Sequence, residues 1–191
     1  MNGNLRLFWA LELPQEVKAA LAQAQRELKR TGADVRWVRI EAIHLTLKFL
    51  GPVPPERVAD IVEALRPVAA ACPPLSLRPA GAGVFPRPSN PRVVWLGLEG
   101  DLEPLKSLAG QIEKALIPLD FPAELQPFKP HLTLGRVKSG RNKPGLVEGV
   151  MSLGQFQGPA FEARELILFR SELKPSGAVY TALERLPLSD E

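Results

Sequence analysis

The sequence is short of the residues that mark several large functional classes. A single cysteine, Cys72, rules out an internal disulfide and a cysteine-built metal centre. Beside Pro73 and Pro74 it reads as a buried structural thiol. No run of about eighteen apolar residues occurs, so no helix is expected to span a bilayer. Residues 1–13 lack a basic flank, an apolar stretch and a small-residue cleavage site in series, and a cytoplasmic location is the expectation. The charge excess is small, with 24 Lys and Arg against 21 Asp and Glu, or +3; this is compatible with a polyanionic ligand without requiring one. There is no Walker loop, no Gly-x-Ser-x-Gly elbow and no His-Glu-x-x-His, and Gly81-Ala82-Gly83 is only a fragment of a dinucleotide fingerprint with no helix behind it.

What is present is enough apolar residue, 45%, for one domain or two packed lobes. Residues 5–11 read as a strand that is apolar on both faces. Pro14 opens a helix whose Val17, Ala20, Leu21, Ala24 and Leu28 form one apolar stripe, stopping near Gly32. Trp37 and Val38 predict a short strand, 43–50 a longer one, and Pro55 a helix that ends or kinks at Pro67. Strands are expected at 75–84, 92–98, 131–137, 165–171 and 179–186. A helix is expected through Leu105, Leu108, Ala109, Ile112 and Leu116, capped by Asp101. The proline-rich stretch 85–91 is the expected lobe boundary, and 138–143 a basic loop.

The order strand, helix, linker, histidine strand occurs twice. Trp9 precedes His44 by 35 residues, and Trp95 precedes His131 by 36. The expected fold is therefore α+β: two similar lobes, each a mostly antiparallel sheet with outer helices, related by a pseudo-two-fold around a central cleft.

Both histidines of the chain lie in the same tetrapeptide, His44-Leu45-Thr46-Leu47 and His131-Leu132-Thr133-Leu134. With 30 leucines and 4 threonines in 191 residues, a histidine is followed by Leu-Thr-Leu by chance roughly once in two thousand trials. A lone histidine in a strand is more often structural than catalytic, but duplication reverses that balance. In a strand His and Thr at i and i+2 share a face, so each copy presents one imidazole and one hydroxyl to a common surface. Two imidazoles and two hydroxyls around one point suit a phosphodiester. One histidine takes a proton from the attacking oxygen, the other gives one to the leaving oxygen, and the hydroxyls hold non-bridging oxygens. No third nitrogen or sulfur ligand accompanies them, so neither metal nor cofactor is expected.

These motifs, with Arg6-Leu7-Phe8-Trp9, Trp37-Val38, Phe128-Lys129-Pro130 before His131, Gly135-Arg136, and the 171–180 stretch containing Gly177, resemble the 2H phosphoesterases, most closely their RNA 2′,3′-cyclic phosphodiesterase branch, historically called 2′-5′ RNA ligase. The resemblance implies metal-independent hydrolysis of a terminal cyclic phosphate to a 2′-phosphate, with His44 as acid and His131 as base. It also implies that Thr46, Thr133 and Arg136 bind phosphate and that Phe49 stacks on a base. Strict alternation opposes the last two, placing Lys48 and Val137 on the catalytic face instead; a bulge at Gly135 would turn Arg136 inward. Trp9, Trp37 and Trp95 read as core. The expected partner is RNA ending in a cyclic phosphate, or a related cyclic nucleotide, with no membrane and no obligate protein partner. The alternatives are a 2′-5′ RNA ligase joining cyclic phosphate and 5′-hydroxyl ends, and an RNA-binding module without chemistry.

Overall fold

A computed structural model describes residues 3–175 and 177–189. Ser176, inside the 171–180 stretch, and the first two and last two residues lie outside the described residues. In order, the elements are β1 (Leu5–Leu11), α1 (Gln15–Lys29), β2 (Val35–Trp37), β3 (Leu45–Val53), α2 (Val58–Ala70), β4 (Leu75–Arg87), β5 (Asn90–Gly100), α3 (Leu102–Leu116), β6 (Leu132–Val137), α4 (Lys143–Ser152), β7 (Phe161–Ala163), β8 (Glu165–Lys174) and β9 (Gly177–Pro187). The α+β expectation holds. One sheet runs β3-β1-β8-β9 and the other β2-β6-β5-β4-β7, with antiparallel pairing throughout.

The helices form where the apolar stripes placed them. Val17, Leu21, Ala24 and Leu28 of α1 are buried, as are Leu105, Leu108, Ala109, Ile112 and Leu116 of α3. After α1 the chain turns away through Gly32 at φ 68°, a left-handed conformation that costs glycine least. α2 packs on β8 and β9, α4 on β4 and β5, α1 against α4 and α2 against α3. One continuous apolar core thus fills the helix side of both sheets.

Three local expectations are corrected. α2 does not end at Pro67, one of the two outcomes expected there, but runs on to Ala70: the one carbonyl that Pro67 leaves without a helical donor belongs to exposed Glu63, within reach of water. Asp101 stands at the N-cap of α3, but its carboxylate accepts the Ser76 N–H at 2.8 Å and so ties β4 to the helix entry. The basic segment is a loop only as far as Asn142. Asn142 caps α4 by accepting the Gly145 N–H at 3.3 Å, and Lys143 belongs to the helix.

The expected boundary at 85–91 is the closed end of the β4–β5 hairpin, inside one sheet. The two lobes interleave along the chain instead of following one another. β2, from the first half, is the edge strand beside β6, while β8 and β9, from the last quarter, complete the sheet of β1 and β3.

Candidate active site

Each histidine stands one residue ahead of a strand, His44 before β3 and His131 before β6. The strands pair with their neighbours in matching registers. Leu11 faces Leu45 and Ala10 faces Thr46; likewise Leu96 faces Leu132 and Trp95 faces Thr133. Each ladder then slips by one residue. Trp9 pairs with Lys48, skipping Leu47, and Val94 pairs with Gly135, skipping Leu134. The pseudo-equivalent of Trp95 is therefore Ala10, not Trp9, and the similar spacings of 35 and 36 residues do not mark equivalent tryptophans.

The slip is a β-bulge, and it decides which side chains enter the cleft. Because two residues of the bulged strand oppose one partner, alternation is interrupted, and the next residue returns to the face of the threonine. Leu47 and Lys48 both turn toward the core, and Phe49 emerges opposite Phe8, with ring centroids 5.9 Å apart. Leu134 and Gly135 do the same, and Arg136 emerges opposite Val93. Strict alternation thus fails at both sites for one reason. Phe49, 65% exposed, lies on the face of His44 and Thr46, while Lys48 is buried. Phe49 and Arg136 are pseudo-equivalents, each five residues after its histidine.

The open face of the first sheet carries Phe8, Ala10, Ile167 and Phe169, with Tyr180 and Ala182 packed against them. His44 rests on this floor, 4.4 Å from the Phe169 ring centroid and 5.4 Å from that of Tyr180. On the second sheet His131 meets the edge of Phe85 at 5.0 Å, and Phe85 in turn lies 4.9 Å from Trp95. A side chain at Gly83 would collide with the Trp95 indole, so the ring lies over that glycine on the cleft side. This corrects the expectation of a core Trp95. Trp9 is fully buried as expected, and Trp37 packs half-buried at the edge of the core, beneath Lys29. Burial raises the Tyr180 phenol above its usual range against the opposing pull of Arg136 and Arg6. Arg136 of one sheet thus acts electrostatically on Tyr180 of the other, the arrangement expected of two open faces that look toward each other.

The histidines are held alike. His44 Nδ1 lies 3.1 Å from the Ala42 carbonyl oxygen, and His131 Nδ1 lies 2.7 Å from that of Lys129, each two residues back. A carbonyl only accepts, so Nδ1 carries the proton in both rings, and the neutral form leaves Nε2 bearing its lone pair. Burial lowers the His44 pKa below the ordinary imidazole range, a shift that its bond to Ala42 opposes. Buried Lys18, bonded to Glu41 at 3.2 Å, also disfavours the imidazolium, and Glu12 favours it. We expect NMR titration of the free protein to place the His44 midpoint below the usual value of about 6.5; a midpoint at or above it would contradict this account of the pocket.

Sequence reasoning passed over Phe8, Phe85, Phe169 and Tyr180 as individual site residues. Tyr180 carried one usable signal, as the single tyrosine of the chain. Among the described residues, no three His, Cys, Asp or Glu side chains converge as metal ligands would, and no helix is long and apolar enough to cross a membrane.

Comparison with known proteins shows the same two-repeat organisation. The model of the family described as LigT like Phosphoesterase matches twice in tandem, over residues 11–95 and 96–180. The chain is 35% identical over 181 residues to the RNA 2′,3′-cyclic phosphodiesterase of Methanothermobacter thermautotrophicus, covering 95% of this chain and 97% of that one. It is 36% identical over 193 residues to the protein of the same name from Thermus thermophilus, covering 98% and 92%. Among solved structures, TT0787 of Thermus thermophilus superposes with a TM-score of 0.80 at 33% identity, over 97% of this chain and all of that one. Escherichia coli LigT complexed with 3′-AMP gives 0.79 at 25% identity, over 98% and 99%.

Proposed function

The chain belongs to the LigT-like phosphoesterases, matched by that family along both of its repeats, and from this premise we propose that it hydrolyses RNA 2′,3′-cyclic phosphate ends to 2′-phosphates by acid and base catalysis from His44 and His131. The observation that carries the reading is the twinned geometry. Two histidines have the same Nδ1–carbonyl bond, and each is followed by a cleft-facing threonine and then by a bulge that delivers a fifth residue.

The chemistry follows from the free Nε2 atoms. Neutral His131 accepts a proton from water at Nε2 as the water oxygen forms its bond to phosphorus. Protonated His44 gives its Nε2 proton to the 3′ oxygen as the bond from phosphorus to that oxygen breaks. Turnover leaves His44 neutral and His131 protonated, and exchange with solvent resets both. A negatively charged phosphate beside His44 opposes the effect of burial, so the acid regains its proton when substrate binds. Thr46 and Thr133 donate to the non-bridging oxygens, Arg136 adds a charged donor, and Phe49 offers its exposed face to the terminal base. With a 5′-hydroxyl in place of water, the same atoms would form a 2′-5′ linkage; hydrolysis is favoured because water needs no second strand in the cleft. We read the chain as one catalytic unit of two lobes, working in the cytoplasm on RNA ends or related cyclic nucleotides.

The donor set holds oxygen and nitrogen groups suited to phosphate, without a cluster suited to a cation. An oligonucleotide with a 2′,3′-cyclic end should therefore be opened at an undiminished rate in excess chelator, giving a 2′-phosphate. Turnover that stops on chelation and returns with zinc or magnesium would refute the two-histidine mechanism. A 3′-phosphate product would reverse the oxygen assigned to His44.

A further inference from the structure

We propose that Arg36, seated beside the Arg136 that takes the cyclic phosphate, forms a subsite for the internucleotide phosphate next to that end, and so makes an oligonucleotide end a better substrate than a cyclic mononucleotide. The inference rests on the proposed activity and adds a substrate preference to it. Its ground is an arrangement that a folded sheet ordinarily avoids. Arg36 of β2 and Arg136 of β6 are directly opposed across the ladder. Side chains so placed share a face with Cα atoms about 5 Å apart, and like charges there destabilise the pair.

The face is fixed by the neighbours. Val35 and Trp37, flanking Arg36, pack against the core, and a Cβ on Gly135 would meet Val35 Cγ1 at 2.6 Å and Trp37 Cε3 at 3.0 Å. Arg36 therefore points the other way, onto the cleft face that the bulge gives to Arg136. Both guanidinium groups are exposed, and among the described residues neither has an ion-pair partner, although seven other arginine and lysine residues do. Lys138 adds a further exposed cation just past the strand, its N–H donating to the Asp34 carbonyl oxygen at 2.8 Å. On the first sheet Arg6 stands in register with Ser171 and Ser171 with Tyr180, so Arg6 lies on the same open face as Tyr180.

Three arginines thus border one end of a cleft whose middle holds the histidines and threonines. A cyclic mononucleotide has one phosphate, which the catalytic groups occupy. The cyclic phosphate engages Arg136 in either substrate, and only a longer strand brings a second phosphate to Arg36. The cost in fold stability of the Arg36–Arg136 opposition is then recovered on binding RNA.

The test compares wild type with Arg36→Gln on a 2′,3′-cyclic mononucleotide and on a trinucleotide with a 2′,3′-cyclic end. Wild type should prefer the trinucleotide. The variant should lose about fivefold in kcat/KM on the trinucleotide, the scale of one exposed charge contact, and nothing on the mononucleotide. The slope of log kcat/KM against log salt for the trinucleotide should flatten by about 0.7, one single-strand phosphate, and Arg36→Lys should restore it. Thermal stability should stay level or rise, because a repulsion has been removed. An equal loss on both substrates, or no loss on either, would overturn the subsite and leave the parent reading intact. A wild-type protein inactive on both substrates would sink the two together.

Discussion

Replacing either His44 or His131 by alanine is expected to slow the chemical step by about 10² to 10⁴, or roughly 3 to 5 kcal/mol of barrier. The double variant should be little worse than the poorer single. On the proposed mechanism both proton transfers belong to one transition state, so losing either already forfeits most of what the pair supplies. Additive losses in single-turnover rates would show instead that the two rings act in separate steps. The rings are mounted identically through Nδ1 and differ in their surroundings: His44 is set among Phe8, Phe169 and Tyr180, and His131 against Phe85. Their roles can be separated with a substrate bearing sulfur at the 3′ bridging position, since a thiolate departs without being protonated. His44→Ala should be largely rescued on that substrate and His131→Ala should not. Rescue of His131→Ala alone would exchange the labels, and near wild-type rates for both singles on the oxygen substrate would make the histidines structural.

The parts of this site that were legible in the sequence are those encoded by local pattern. The strand Leu5–Leu11 has the bounds its apolar run implied, the α1 and α3 stripes bury the expected residues, and the paired His-Leu-Thr-Leu segments read as strand entries because period two is written in the residues themselves. What stayed hidden depends on partners far away in the chain. A bulge is a mismatch between two strands; Gly135 pointed to the one in 131–136, but nothing within 44–49 announces its twin, and period two alone therefore put Lys48 in the cleft and Phe49 in the core. Trp95 misleads for a related reason, since its cleft position rests on Gly83 of another strand having no side chain. The interleaving of the lobes follows from β2 and β8 finding partners more than ninety residues away, with β9 carried along as the hairpin partner of β8. α4 had almost no signal: two of its ten residues are glycine, and only Leu146 and Val150 are buried. Its start is set by a cap on Asn142, in a left-handed conformation that sequence alone does not advertise.

Glu113→Ala should destabilise the protein by about 3 kcal/mol, equivalent for a chain of this size to roughly 6–12 °C in Tm, although Glu113 lies outside the proposed catalytic set. The bulge that turns Phe49 into the cleft turns Lys48 the other way, leaving its side chain 3% exposed. There the ammonium donates to Glu113 Oε2 at 2.9 Å and to the Pro122 carbonyl oxygen at 2.8 Å, with Glu124 Oε1 farther off at 3.6 Å. Removing Glu113 strands a buried cation, and breaking a buried pair costs more than the pair contributes, because the remaining charge cannot return to water. Glu124 is largely exposed and its N–H also uses Glu113 Oε2 at 3.3 Å, so its compensation is partial and the loss falls near the lower end of the usual range. Lys48→Met, which removes the charge and keeps an apolar stem, should cost far less, and adding it to Glu113→Ala should restore most of the lost stability. The coupling reaches the site through the bulge. If a stranded Lys48 swings toward solvent, the strand loses its slip and Phe49 its place opposite Phe8, raising KM for nucleotide substrates more than it lowers kcat. Thermal denaturation of the two singles and the double decides the matter: Glu113→Ala as stable as Lys48→Met, or a double variant worse than either single, would show that the ion pair does not hold the bulge.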